Sequence, residues 1–430
     1  MRILVVASYL FDNDLPEFRK NKTGFGIMLN NIVTSLALIA DVKLTTHVIT
    51  KGHLPLIPRH DWKDVLFSAR LSDWLDGIKK ATTINSSFSK KLKIIYYFVN
   101  KGYYRKLIDS FRPDIVNIHG IGISTEGILD VCRENMIPYV VTLHGAIMID
   151  KKASEYDKGL EKKLIIDADK NRTPITVVST GVKRRLEKEF LKHSCDSIYV
   201  IPNGTSISKN IDNRKQKILW QDTSIDEYKT MYEKALKENS YLDLNDIVDY
   251  IKKLKLKGTK ILGCVGVISE HKNQLLLLEA INGLEQQDIA VLLVGKENDD
   301  GAVRKAILKN NLQEKVFMTG FCINMDMIWE LIDINVFISK NDGFGLSIIE
   351  GYSRGIPSIV AKTLDAFQDI YSIDSCIPIN LDVFEIKQGI LKALENDWDH
   401  QKIKEFSQNY SLEKMALRYY EVFHSTLKRR

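Results

Sequence analysis

Eleven short runs of apolar residues, rich in Val and Ile and bounded by Gly, Pro, Asn or His, punctuate the chain. The first six are "RILVVAS" (2–8), "VKLTTHVIT" (42–50), "DIVNIHG" (114–120), "YVVTLHG" (139–145), "ITVVST" (175–180) and "SIYVIPNG" (197–204). The other five are "KILGCVGVIS" (260–269), "IAVLLVGK" (289–296), "VFMTG" (316–320), "NVFISK" (335–340) and "PSIVAK" (357–362). Between them lie segments with helical periodicity, such as "MLNNIVTSLALIA" and "KNQLLLLEAINGL". Strands that are apolar at nearly every position are buried on both faces, and their alternation with helices predicts parallel sheets covered on both sides. Two series predict two doubly wound α/β domains. Ligands of such sheets sit beyond the carboxyl ends of the strands, and each run ends in a small or polar residue suited to that edge.

The pattern also sets the expected boundaries: a first domain over 1–207, a charged helical connection over 208–258 and a second domain over 259–410. The last helix, "LEKMALRYYEVFHSTLKRR" within 411–430, is amphipathic and is assigned to the first domain. Composition changes this picture little. The 430 residues suffice for two or three domains, and 44% apolar with 27% charged residues is ordinary for a soluble globular protein. A net charge of +6 permits attraction to anionic substrates or membranes without demanding nucleic acid, and none is expected as a partner. Cys132, Cys195, Cys264, Cys322 and Cys376 lack CxxC spacing and are expected as reduced thiols of a cytoplasmic protein. The N-terminal apolar run meets Asp12 and Asp14 at once and is read as a buried strand rather than an export signal. No stretch of about 18 consecutive apolar residues is present to span a membrane.

The segment "NDGFGLSIIE" (341–350) concentrates candidate chemistry. It falls in a strand-to-helix turn, with the helix closed by Gly355 and Pro357. Gly343 and Gly345 allow close approach of the backbone to a ligand. The amides of Phe344, Gly345, Leu346 and Ser347 then point from the helix start, a seat for phosphate. Glu350, one turn on, leans back toward that seat and suits the hydroxyl pair of a ribose. Asp342 faces whatever group lies beyond the phosphates.

This stretch resembles the E-x7-E signature of retaining glycosyltransferases of family 4, the group 1 glycosyltransferases, whose usual form is E-G-F-G-L-x-x-x-E-A-M-x-x-G-x-P-V. Gly343 to Leu346, Glu350, Gly355 and Pro357 match, and the first acid is shortened to Asp342. "CVGVISEHKNQLLLLEAI" (264–281) is similar to the family's G-R-L-x-x-x-K loop, with Gly266, Lys272 and Asn273 in register and Val267 in place of the Arg. His271, Lys296 and Arg354 are the candidates to replace that cation. "LLLVGKEND" (292–299), with Gly295, and "KVFMTGFC" (315–322) resemble strand ends that flank the base. "KTGFGIMLNNIVTSLA" (22–37), with Gly24 and Gly26, resembles the glycine-rich loop of the first domain. His144, after "YVVTL", stands where the family places a histidine on the donor sugar, and His119 is open between a structural and a binding role. "VIPNG" (200–204) matches the domain exit. The loop Lys362–Asp369 lacks the family's glycine pair, with Asp369 left to stand in for its acid.

The resemblance implies two Rossmann-like domains facing across a cleft, the GT-B fold. It implies transfer of a hexose, with retention, from a UDP- or GDP-sugar to a glycan or lipid-linked acceptor in bacterial-type surface polysaccharide synthesis. No cofactor and no obligatory metal are implied; the pairs Asp12/Asp14, Asp167/Asp169 and Asp397/Asp399 read as solvated acids. On this reading Lys272 and the 344–347 amides hold the diphosphate, Glu350 the ribose, and Asp342 and His144 the sugar. Residues 88–107 carry six Lys/Arg beside the apolar Leu92, Ile95, Tyr96 and Val99, the composition of a helix on anionic lipid at the inner face of a membrane. Two alternatives remain: a catalytically weak donor-binding scaffold, suggested by Val267, Asp342 and the lost glycine pair, and a sugar-nucleotide epimerase of the same fold.

Overall fold

The computed structural model describes residues 1–8, 24–48, 56–58, 60–150, 153–207, 225–284, 287–322 and 324–429. The chain divides into two units, Met1–Gly204 with Leu412–Arg430, and Thr205–Ser411. The first holds β1 (Arg2–Ala7), β2 (Asp41–Thr46), β3 (Ile115–His119), β4 (Tyr139–Leu143), β5 (Ile175–Val177) and β6 (Ile198–Val200). The second holds β7 (Lys260–Val265), β8 (Ile289–Val294), β9 (Val316–Gly320), β10 (Ile334–Phe337), β11 (Ser358–Ala361) and β12 (Cys376–Ile379). All eleven apolar runs contain a strand, and β12 is the addition.

The two sheets run β2-β1-β3-β4-β5-β6 and β12-β11-β10-β7-β8-β9, with every pair parallel. In the first, the chain steps from β1 to β2 and then returns to place β3 on the other side of β1. In the second it runs outward from β7 to β9, then returns to lay β10 against β7. These reversals, β1/β3 and β7/β10, leave crevices beyond the strand ends where a doubly wound sheet takes its ligand. The segment Asp342–Glu350 follows β10 and Lys272 follows β7, so the two bracket one such reversal.

Residues 208–224 lie outside the described part. From Ile225 onward the segment expected as a connection belongs to the second unit. Tyr228, Tyr232 and Tyr250, on the helices Ile225–Lys237 and Leu244–Leu256, pack with Phe317 in its core. Tyr232 Oη donates to Val316 O and accepts from Met318 N, both at 2.9 Å, capping the open edge of β9. The final helix, Leu412–Lys428, lies in the first unit against the helix Gly24–Leu36. All five cysteines are free and buried.

Residues 88–107 do not form one surface helix. The chain breaks at the buried Asn100, which ends the helix Phe88–Val99 and begins Lys101–Phe111. Lys101 and Arg105, read as surface cations, are buried by the acids around them. Arg105 makes a fork to Asp73 (2.7 and 2.9 Å) and reaches Glu134 at 2.9 Å; Lys101 meets Glu134 at 3.0 Å and Asp130 at 3.4 Å. A buried cation persists only with such partners. Val99 is buried as well, so only the first half of the expected lipid-facing stripe reaches the surface.

Candidate functional site

At the β7/β10 reversal, main-chain geometry builds a narrow shelf. Gly295, just past β8, has φ 151°. A Cβ there would stand 2.0 Å from the Gly266 carbonyl oxygen, so the strand ends touch backbone to backbone and only glycine fits. Gly266 N donates to Val294 O (2.8 Å) and Gly295 N to Gly320 O (2.9 Å). Beyond Gly266, Gln274 clamps the loop, its Oε1 accepting from Ser269 N and its Nε2 donating to Val267 O, each at 3.1 Å. The turn Glu270–Lys272 follows, and Asn273 takes a left-handed conformation (φ 64°) before the helix Gln274–Ile281.

Lys272 is thereby aimed across β7 toward β10. Its Nζ stands 4.7 Å from the centre of the Phe337 ring and pairs with Asp342 Oδ2. Asp342 Oδ1 accepts from the amides of Phe344 (3.3 Å) and Gly345 (3.1 Å). Burial opposes the charge on Asp342, but Lys272 and the two amides outweigh it and hold the carboxyl below its ordinary range. At neutral pH Asp342 is therefore a carboxylate. Two loops tie to the pair: Lys340 N donates to His271 O at 3.0 Å, and Asp365 N to Asp342 O at 3.3 Å.

This geometry narrows the expected anion seat. Of the four amides assigned to phosphate, Phe344 and Gly345 turn inward onto Asp342, because an aspartate can accept from backbone two and three residues on. Among the described residues none accepts from the amides of Leu346 or Ser347, which open the helix Leu346–Tyr352. Gly345 is left-handed (φ 79°) at that helix start, whereas Gly343 does not take positive φ. Glu350 is half-buried one turn on; its carbonyl accepts from Ser353 Oγ (2.8 Å) and Arg354 Nη1 (3.0 Å).

Val267, at the position of the family's Arg, is 39% exposed. Arg354 does not replace that cation. Its guanidinium binds the Glu350 carbonyl and Asp326 and lines a cavity of about 720 Å³ with Lys260, Asp333 and His400, at the opposite, N-terminal ends of β7 and β10. His271 does not replace it either, since burial and then Lys272 lower its pKa and leave it neutral at pH 7. Lys296, exposed beside Gly295, is the remaining candidate.

In the first unit, Gly24 and Gly26 open the helix Gly24–Leu36, while residues 9–23, which include the start of the glycine-rich loop, lie outside the described part. Phe25, between them, meets the His144 ring edge-on at 5.0 Å. His144 Nε2 lies 3.0 Å from His119 Nδ1, and His119 Nε2 lies 2.6 Å from Asn117 Oδ1. Asn117 Nδ2 donates to Val140 O (3.2 Å) and Thr142 Oγ1 (2.9 Å), and Thr142 Oγ1 meets Thr176 Oγ1 at 2.7 Å. Burial lowers the His144 pKa to about 3 and, with His144 adjacent, lowers that of His119 well below its ordinary value. Asn117 was not singled out from sequence. Its signal is a lone amide in "DIVNIHG", two positions before His119 and so on the same strand face.

Known proteins share the family and the fold of this chain. The family of glycosyl transferases group 1 matches residues 246–410, and glycosyltransferase family 4 matches residues 47–209. An Escherichia coli UDP-Gal:alpha-D-GlcNAc-diphosphoundecaprenol alpha-1,3-galactosyltransferase is 26% identical over 317 residues, covering 69% of each chain. A glycosyltransferase from Rickettsia africae superposes with a TM-score of 0.65 at 16% identity, covering 100% of this chain and 99% of the other. Anabaena Alr3699/HepE in complex with UDP-glucose superposes with a TM-score of 0.62 at 14% identity, covering 99% and 100%. With a family match on each unit and a parallel doubly wound sheet in each, this chain belongs to the group 1 glycosyltransferases of the family 4 type, built on the GT-B fold of two Rossmann-like domains.

Proposed function

We propose that the chain transfers a hexose, with retention of configuration, from a UDP- or GDP-sugar to a lipid-linked acceptor in surface polysaccharide synthesis. The observation that carries this reading is the shelf at the β7/β10 reversal, where Lys272 pairs with Asp342 just before the start of the helix Leu346–Tyr352. Lys272 and those amides stabilise charge on the departing diphosphate, the role a divalent ion fills elsewhere, so no metal is required. Glu350 accepts from the ribose hydroxyls, and Asp342 and His144 contact the sugar. The Lys272–Asp342 pair opens when a diphosphate competes for the Lys272 side chain, while the Phe344 and Gly345 amides stay on Asp342 Oδ1.

The acceptor reading is supported by the relative that acts on a diphosphoundecaprenol acceptor. A cavity of about 650 Å³ in the first unit, beside the turn after β3, gives room for an acceptor; Lys90, Lys93, Asp150 and Asp157 line it, so its charge is mixed. A revised lipid-facing surface lies next to it. Leu71, Trp74, Leu75 and Ile78 recur at i, i+3, i+4 and i+7 on the helix Leu71–Thr83, all exposed, with Phe67 (88%) and Phe88 (77%) on neighbouring helices. Lys79, Lys90 and Lys93 flank them for anionic headgroups. Among the described residues no helix is long and apolar enough to cross a membrane. A location at the inner face of the plasma membrane follows from this reading.

Val267 favours one second reading, a donor-binding subunit with little turnover. UDP affinity and hydrolysis of a UDP-hexose panel, each with EDTA present, separate the two. Lys272→Ala is expected to weaken UDP about 10- to 100-fold, the loss of charge-assisted bonds. Glu350→Ala is expected to raise donor KM and lower turnover. Unchanged UDP affinity in Lys272→Ala rejects the site, and tight UDP binding without hydrolysis selects the second reading.

A further inference from the structure

The buried polar chain behind His144 has a direction. Val140 O can only accept, so the Asn117 amide must turn its NH₂ toward that carbonyl; the flipped amide would set two oxygens 3.2 Å apart. Thr142 Oγ1 then accepts from the same NH₂ and meets Thr176 Oγ1 at 2.7 Å, a bond that either hydroxyl can donate. The Asn117 oxygen therefore faces His119 Nε2, which must carry a proton to donate across 2.6 Å. A neutral His119 then has a bare Nδ1. That nitrogen accepts across 3.0 Å, so the proton between the two rings belongs to His144 Nε2. Both rings are neutral, since burial excludes their charged forms at pH 7. His144 is left with a bare Nδ1, a buried atom without a partner among the described residues.

We infer that Asn117 and His119 are positioning residues that hold His144 as the tautomer with Nε2 protonated and Nδ1 bare, so that His144 selects a hydrogen-donating group such as a sugar hydroxyl and rejects phosphate or carboxylate oxygens. This rests on the reading that His144 meets the donor sugar. An imidazole lone pair repels an anionic oxygen, whereas a hydroxyl turns its hydrogen to it. The chain Val140–Asn117–His119–His144 thus carries specificity outward from a strand carbonyl. A histidine able to present either tautomer would discriminate less.

The test is ¹⁵N NMR of the histidine rings in the full chain, with the His144 signal assigned from His144→Ala. Wild type is expected to show, at pH 7, a protonated Nε2 and a non-protonated Nδ1 on His144. Asn117→Leu, which removes the acceptor, is expected to give a mixture of tautomers. Asn117→Asp, whose carboxylate supports protons on both His119 nitrogens, is expected to move the His144 proton to Nδ1. A protonated Nδ1 in wild type, or a tautomer indifferent to residue 117 in folded variants, overturns the inference. The wild-type spectrum decides even if a variant does not fold. Hydrolysis of UDP-glucose by His144→Ala tests the underlying reading separately: a loss of 10-fold or more in kcat/KM is expected from an unpaired sugar hydroxyl. An unchanged value removes the sugar contact while leaving the tautomer assignment to the spectrum.

Discussion

Lys272 and Asp342 are 70 positions apart, yet Lys272 helps to hold the Asp342 carboxyl below its ordinary range. Both positions were legible from motif register, but their pairing was not, because it depends on β10 lying against β7, a crossover no local pattern encodes. Asn117 shows the same limit. A single amide in an apolar strand reads as a satisfied polar residue until the neighbouring strand supplies Val140 and Thr142. The histidines yield a prediction at this scale. In the unfolded chain His144 titrates near 6.5, whereas in the fold its pKa is lowered to about 3. Between those values the unfolded chain binds more protons, so this contribution is complete above about pH 6.5 and is lost as pH falls through the window. Urea unfolding between pH 7 and 5 is expected to show wild type losing up to about 1.4 kcal/mol per pH unit more than His144→Gln. Parallel pH dependences would contradict a buried neutral His144.

Among the elements, parallel strands were the most legible, because burial on both faces writes an uninterrupted apolar run. The exception, β12, is an edge strand with Pro378 opposite Val360; proline interrupts the pattern and is tolerated only where no further strand needs its N–H. The helices of 62–111 were less legible, since buried Lys101 and Arg105 imitate a solvated basic face. At the site, the glycines of the strand ends do the shaping. Gly295→Ala forces both a positive φ and an overlap with the Gly266 carbonyl. It is expected to cost more than the roughly 1–3 kcal/mol of a strained backbone residue alone. Gly24→Ala, whose new Cβ would meet nothing within 4 Å, is expected to be neutral or stabilising. Thermal unfolding of the two variants checks this, and equal melting temperatures would contradict the proposed shelf.

For the whole molecule, each unit has its own sheet and its own reversal, and the division of labour follows. The second unit carries the cation, the acid and the main-chain donors; the first carries the His144 chain, a cavity lined by both lysines and aspartates, and an exposed apolar face. That face predicts attachment to lipid. In flotation with vesicles of neutral or about 30% anionic composition, wild type is expected to float only with the anionic lipid. Leu71→Ser with Phe88→Ser is expected to remain at the bottom. Flotation indifferent to lipid charge would remove the membrane reading without touching the donor site.

On the proposed reading of the donor site, a nucleotide sugar's diphosphate rests on the shelf at the β7/β10 reversal. A crystal structure of the chain with UDP tests it most directly. The expected result is the distal phosphate against the Leu346 and Ser347 amides, with Lys272 turned from Asp342 onto it and the ribose on Glu350. A diphosphate bound instead among Lys260, Arg354 and His400, at the opposite end of the same sheet, would contradict the account.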